Sequence, residues 1–248
     1  MPPETRVTHN VNEECGEPPD FAQYFDQSSK YRSANYEDHD LYNKLFKQVL
    51  DKLDQGGTYV EMGAFDGLQE SNSRFFDICL GWDGLLIEPN PATYPGLIDN
   101  RKHAHRMSYA ASCSEADEAL NKTIGFHPYA FTNAAQAGTN NAYEGKNEVP
   151  VPCGSLTPVL LDLFDGRVTL FSLDVEGAEP MVLESIDFRR VRFDVIMVEN
   201  RNNFCEGVCE SRDKARALMV DAGYILYDNV ITKSDLYFHP ESEFKLDT

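Results

Sequence analysis

Residues 59–67, YVEMGAFDG, constrain the fold more than any other stretch: an apolar run stops on an acid and turns at once through glycines. With Glu61, Gly63 and Gly67 as fixed points the pattern is acid-x-Gly-x-x-x-Gly, the shape of a nucleotide-binding βα turn in an open α/β sheet. Glycine suits such a turn because no Cβ blocks the approach of a ligand and positive φ costs little. Two more apolar runs end the same way, GLLIEP on Glu88 and LFSLDVEGAE on Asp174. Three strands that each close on a carboxylate describe a cleft along the carboxyl edge of a parallel sheet.

The rest of the chain supplies elements for such a sheet. At 248 residues it can bury one full α/β core. Residues 1–36 are polar and proline-marked and read as a flexible N-terminal arm free to fold over the domain, with one domain over 37–248. Leu41, Leu45, Phe46, Val49, Leu50 and Leu53 recur at helical spacing, giving a helix that stops at Gly56-Gly57. Strands are expected at 58–62, 84–88, 106–112, 168–174 and 193–199, with helices at 71–80, 91–100, 158–164, 179–186 and 212–222. Residues 115–150 break the rhythm and read as an insertion or lid over the cleft, followed by a short edge strand at 149–153. Near the end, GYILYDN and DLYFHP lie too close together for a crossover and must form an antiparallel hairpin. Five parallel strands closed by such a hairpin give a mostly parallel seven-stranded sheet. That differs from a dinucleotide dehydrogenase and resembles the Rossmann-like, three-layer sandwich of class I methyltransferases.

Charge and cysteine usage bound the partners. Acidic residues outnumber basic ones by 41 to 22, for a formal charge of −19. This argues against nucleic acid as the partner, since phosphate-backbone binding draws on clustered Lys and Arg. The first ten residues contain no apolar signal-like run, and no stretch of about 18 apolar residues exists, so neither secretion nor a membrane span is indicated and the cytoplasm is the expected location. On that expectation the acceptor sequence Asn121-Lys122-Thr123 is a chance match. Six cysteines are thinly spread, only Cys205 and Cys209 lie close, and free thiols are expected, with a surface disulfide left open.

Several side chains carry candidate chemistry. Glu88 stands at about the interval from the glycine turn at which an acid accepts the ribose hydroxyls of a nucleotide; capping the following helix is the alternative. Glu61 would face a ligand's ammonium group or satisfy its own turn. Asp66 sits where a helix N-terminus welcomes a carboxylate. Asp174, Glu176 and Glu179 crowd three acids at a strand end, which costs repulsion unless a cation offsets it. Glu199 and Asn200 close the neighbouring strand, so Asp174, Glu199 and Asn200 are a candidate set of hard oxygen ligands for Mg²⁺. The alternative pairs Glu199 with Arg201 or Arg101. His127 is a candidate base beside Asp174 and Glu176.

Taken together, YVEMGAFDG, ESNSRFF, LGWDGLLIEPNP and SLDVEGAE resemble the FkbM family of methyltransferases over approximately residues 33–240. The resemblance implies a class I fold, S-adenosylmethionine as methyl donor and O-methylation of a hydroxyl on a small molecule, glycan or polyketide. On it, Glu61, Gly63, Asp66 and Gly67 match the cofactor loop, Asn72 the helix start after it, and Glu88 the ribose acid. Asp174, Glu176 and Glu179 match the DVEGAE signature, and Ser112, at the end of the third strand, joins the cofactor-binding set. Two positions depart from the family pattern: Ser33-Ala34 stands where Ser-Gln is frequent, and Pro180 follows the signature, where the first turn of a helix tolerates it. A catalytically silent binding domain and an N- or C-methyltransferase are the competing readings.

Overall fold

The computed structural model describes residues 13–49, 56–128, 147–200, 209–244 and 246. Nine strands are present among them: β1 (Thr58–Met62), β2 (Asp83–Ile87), β3 (His105–Met107), β4 (Thr123–Phe126), β5 (Val149–Pro152), β6 (Arg167–Leu173), β7 (Arg192–Glu199), β8 (Ile225–Ile231) and β9 (Ser234–Phe238). Seven form one sheet in the order β3-β2-β1-β6-β7-β9-β8. The β1, β2, β3, β6 and β7 strands run parallel, and β9 joins β7 antiparallel as one arm of the β8–β9 hairpin. This is the expected three-layer class I arrangement.

Alternation along the central strands divides the core in two. Tyr59, Leu86, Leu170 and Val195 face one apolar layer with Phe46, Phe75, Phe76 and Trp82, while Val60, Leu85, Phe171 and Ile196 face the other with Leu160, Leu183 and Met219. With both faces covered, β1 and β2 have no solvent side, which is why they read as continuous apolar runs. Crossovers are made by α3 (Arg74–Ile78), α4 (Tyr94–Asn100), α6 (Thr157–Phe164), α7 (Glu179–Ser185) and α8 (Glu210–Asp221). Before β1 lie α1 (Ala22–Phe25) and α2 (Glu37–Leu41), and α5 (Glu115–Ala119) precedes β4.

Two expectations take definite form and two are corrected. The N-terminal segment folds over the domain where described: Phe21, Tyr24 and Phe25 are buried in the first core layer against Tyr42 and Phe75. Three aromatics inside a polar segment form too short a pattern to show periodicity. The helix expected to run from residue 38 to the double glycine begins as α2 and widens into a π-type turn, Tyr42–Phe46; Leu50 and Leu53 lie outside the described residues. The short edge strand expected after the insertion is present as β5, which pairs with β4 in a two-stranded sheet of its own.

The second correction concerns the thiols. Cys15 is bonded to Cys79 and Cys113 to Cys153, each with Cα atoms 5.5 Å apart, and no cysteine is free among the described residues. Cys209 is also disulfide-bonded. The first bond fastens the N-terminal segment to the end of α3, and the second fastens the loop after β3 to the end of β5. Sequence separations of 64 and 40 residues hid both pairings from a reading based on spacing.

Candidate active site at the sheet rim

The carboxyl ends of β1, β2 and β6 meet through the backbone of the glycine turn. Gly63 and Ala64 donate to the Ile87 carbonyl, each at 3.1 Å, and Asp174 N donates to Met62 O at 3.1 Å. Gly63 has φ +85°, and a Cβ there would collide with the Asp174 carbonyl oxygen, so only glycine lets the β1 turn lie against the end of β6. Gly67, at φ +72°, closes over Arg101 and Leu97 with no more room.

Glu88 completes the rim from β2. Its two oxygens each accept one backbone donor, Oε2 from Phe65 N and Oε1 from Asn90 N, both at 2.8 Å. The acid therefore bridges the glycine turn and the approach to α4. Burial pushes its carboxyl up to about 7, against the stabilising bonds from Asn90 and Phe65. Capping and ligand contact are compatible here, since an ionised carboxylate has about four acceptor sites and Phe65, Asn90 and Thr93 use three.

Beyond Asp174 the β6 end continues through Glu176 (φ +59°) and Gly177 (φ +102°) into α7. Glu179 reaches back, and its Oε1 accepts from Val175 N at 3.1 Å and Gly177 N at 3.0 Å, pinning the loop. One carboxylate oxygen each from Asp174, Glu179 and Glu199 lies within 4.8 Å of the others. Burial first, then the facing charge of Asp174 and a hydrogen bond with it, holds the Glu199 carboxyl well above the ordinary range. The cluster would be relieved by a positive charge. Asn200, next after β7, donates its Nδ2 to Asp235 at 2.8 Å, and Asp235 also pairs with Arg216; its Oδ1, the atom that could ligate a cation, is buried without a hydrogen-bond partner among the described residues. Glu179 joins the cluster from the first turn of α7.

The remaining candidates divide. Glu61 is 3 % exposed and accepts from Ser71 Oγ (2.8 Å), Asn72 N (2.7 Å) and Ser73 Oγ (2.5 Å), so it anchors the start of α3. Asn72 reaches Ser172 on β6 at 3.2 Å. Asp66 accepts from Leu68 N and Gln69 N within its own turn. His127 is buried just past β4 on the insertion sheet, off the rim strands. Ser112 lines a surface pocket of about 590 Å³ with Ser114, Glu115, Met181 and Arg189; neither Glu88 nor Asp174 lines it. Ser33, at the departure from the family pattern, is bonded to Asp38 in the first turn of α2.

One determinant was missed. Arg101 is 1 % exposed and reaches Asp77, Ser71, Ser73, Tyr59 and the Gly67 carbonyl, tying the glycine turn to the base of α3. The sequence offered it only as a partner for Glu199; no local pattern marks a residue whose partners are spread over forty positions.

The family model "Methyltransferase FkbM domain" matches residues 61–226. Among solved structures, the chain is similar to the precorrin-6y C5,15-methyltransferase of Geobacter metallireducens at 13 % identity, covering 77 % of this chain and 86 % of that one with a TM-score of 0.39. A TehB-like SAM-dependent methyltransferase of Corynebacterium glutamicum is 10 % identical, with 84 % and 89 % covered and a TM-score of 0.40. Overlaps this loose carry no functional argument. No curated protein matches the chain.

Proposed function

Because the chain belongs to the methyltransferase FkbM family, we propose that it transfers the methyl group of S-adenosylmethionine to a hydroxyl oxygen of a small molecule, glycan or polyketide. The observation that carries this reading is Glu88, held at the rim by the amide of Phe65 in the glycine turn itself. A carboxylate fixed there accepts vicinal ribose hydroxyls and disfavours a phosphorylated ribose. The acidic trio of Asp174, Glu179 and Glu199 supplies negative potential for a sulfonium and an ammonium group. The cofactor's contribution is an electrophilic methyl carbon on a positively charged sulfur.

The chain's own work is to align the acceptor and remove its proton. Asp174 and Glu176, at and just past the end of β6, are the carboxylate candidates for the base, and His127 is the candidate from the insertion. If Mg²⁺ is used, its protein ligands are Asp174, Glu179 and Glu199, three hard oxygens suited to that ion.

The test is methyl transfer from isotope-labelled S-adenosylmethionine into a panel of hydroxylated acceptors, with and without EDTA. Label in an alkali-stable methyl ether supports the proposal. A protein that binds the cofactor and labels only amines would overturn O-transfer, and one that does not bind it would overturn the whole reading.

A further inference from the structure

The paired cysteines change the meaning of a motif that the catalytic reading leaves unused. Disulfides persist in oxidising compartments and are rare where glutathione and thioredoxin keep thiols reduced. All five cysteines among the described residues are bonded, two pairs of them across 64 and 40 residues of sequence. Bonded cysteines throughout the described residues fit an oxidising compartment better than the cytoplasm expected from the sequence. In an oxidising lumen the sequence Asn121-Lys122-Thr123, the only Asn-x-Ser/Thr triplet of the chain, is available for modification.

Its surroundings meet the requirement that a modified asparagine face solvent. All three residues are exposed. Asn121 occupies the turn between α5 and β4 at φ +53°, where asparagine tolerates the left-handed conformation. Its backbone amide is used, donating to Glu118 O at 2.8 Å, while its side-chain amide takes part in no hydrogen bond among the described residues. Attachment there disturbs no packing. The neighbouring Leu120 is 81 % exposed, the most exposed large apolar side chain among the described residues, and a glycan one residue away would shelter it. The Cys113–Cys153 bond steadies the same corner, since Cys153 N donates to the Lys122 carbonyl at 3.1 Å.

We infer that this chain matures in an oxidising, glycosylating lumen and carries an N-linked glycan on Asn121. In the transfer, the Asn121 side-chain nitrogen bonds to the anomeric carbon of a sugar carried on a polyprenyl diphosphate. The bond from that carbon to the diphosphate oxygen breaks, the polyprenyl diphosphate leaves with the electron pair, and a base of the host transferase takes the amide proton.

The experiment directs the full chain into the lumen of a eukaryotic host with an appended leader and expresses it in the cytosol in parallel. The luminal protein should be heavier by a glycan, should return to the polypeptide mass on treatment with a glycan-releasing amidase with Asn121 recovered as Asp, and should resist alkylation at Cys15, Cys79, Cys113 and Cys153 until reduced. Asn121→Gln should fold with the same disulfides and lack the added mass. Luminal protein with its disulfides formed and Asn121 unmodified would overturn glycosylation. Alkylatable cysteines in folded luminal protein, or a chain that folds in the cytosol and is lost from the lumen, would overturn the compartment.

Discussion

Arg101 Nε lies 2.6 Å from Asp77 Oδ2, both side chains almost wholly buried, and the same guanidinium holds the Gly67 carbonyl at 3.2 Å. The glycine turn is therefore supported from beneath by a buried ion pair. Removing one partner of a buried pair strands the other charge, at a cost of about 3–5 kcal/mol. Arg101→Met should lower the denaturation midpoint accordingly, and Arg101→Lys should recover little, because an ammonium cannot span Asp77, Ser71, Ser73 and Tyr59 at once. Chemical denaturation of the two variants checks this.

Gly63→Ala puts a methyl group against the Asp174 carbonyl and holds an L-residue at φ +85°. The backbone strain alone is about 1–3 kcal/mol. The turn must withdraw from β6, so the variant should lose stability and bind S-adenosylhomocysteine at least tenfold more weakly, as read by calorimetry.

Three carboxyls, buried Asp38 at about 6, buried Glu88 at about 7 and half-buried Glu199 above the ordinary range, are raised by folding, chiefly by loss of solvent. The folded state binds protons that the unfolded state has released, so their contribution is full below the ordinary carboxylate value and is lost as pH rises through each folded value. The contribution of Asp38 should be gone just above its folded value, that of Glu88 next, and that of Glu199 in the alkaline range. Stability of the ligand-free protein should fall from about pH 5 upward, and Glu199→Gln should flatten the alkaline part of that slope. Denaturation midpoints across the range report it.

Each disulfide closes a long loop, 64 residues for Cys15–Cys79 and 40 for Cys113–Cys153. Loop-closure entropy assigns each about 4 kcal/mol. Replacing Cys15 and Cys79 together by serine should free the docked N-terminal segment and reduce stability by roughly that amount, which denaturation under non-reducing conditions would measure.

The sheet was legible because β1, β2, β6 and β7 are buried on both faces and bounded by glycine or acid, and the β8–β9 hairpin because its turn is too short for a crossover. Glu88 and Asp174 could be placed from their strand ends alone. The π-type turn after α2 was not legible, since tertiary packing sets where a helix widens. Glu179 was not read into the oxygen-ligand set because it reaches the cluster from α7 and does not close a strand. The cysteine pairs and Arg101 depend on partners distant in sequence, and no local spacing encodes them.

Titration calorimetry of S-adenosylhomocysteine against wild type, Glu88→Gln and Glu88→Ala tests the central claim most directly. The account predicts one saturable site in the wild type that weakens as pH falls through about 7, as the buried carboxyl takes up its proton and loses acceptor capacity for the ribose. Glu88→Gln should bind at least tenfold more weakly with that pH dependence removed, and Glu88→Ala should bind more weakly still. A wild type without measurable binding, or a Glu88→Ala protein with unchanged affinity, would contradict it.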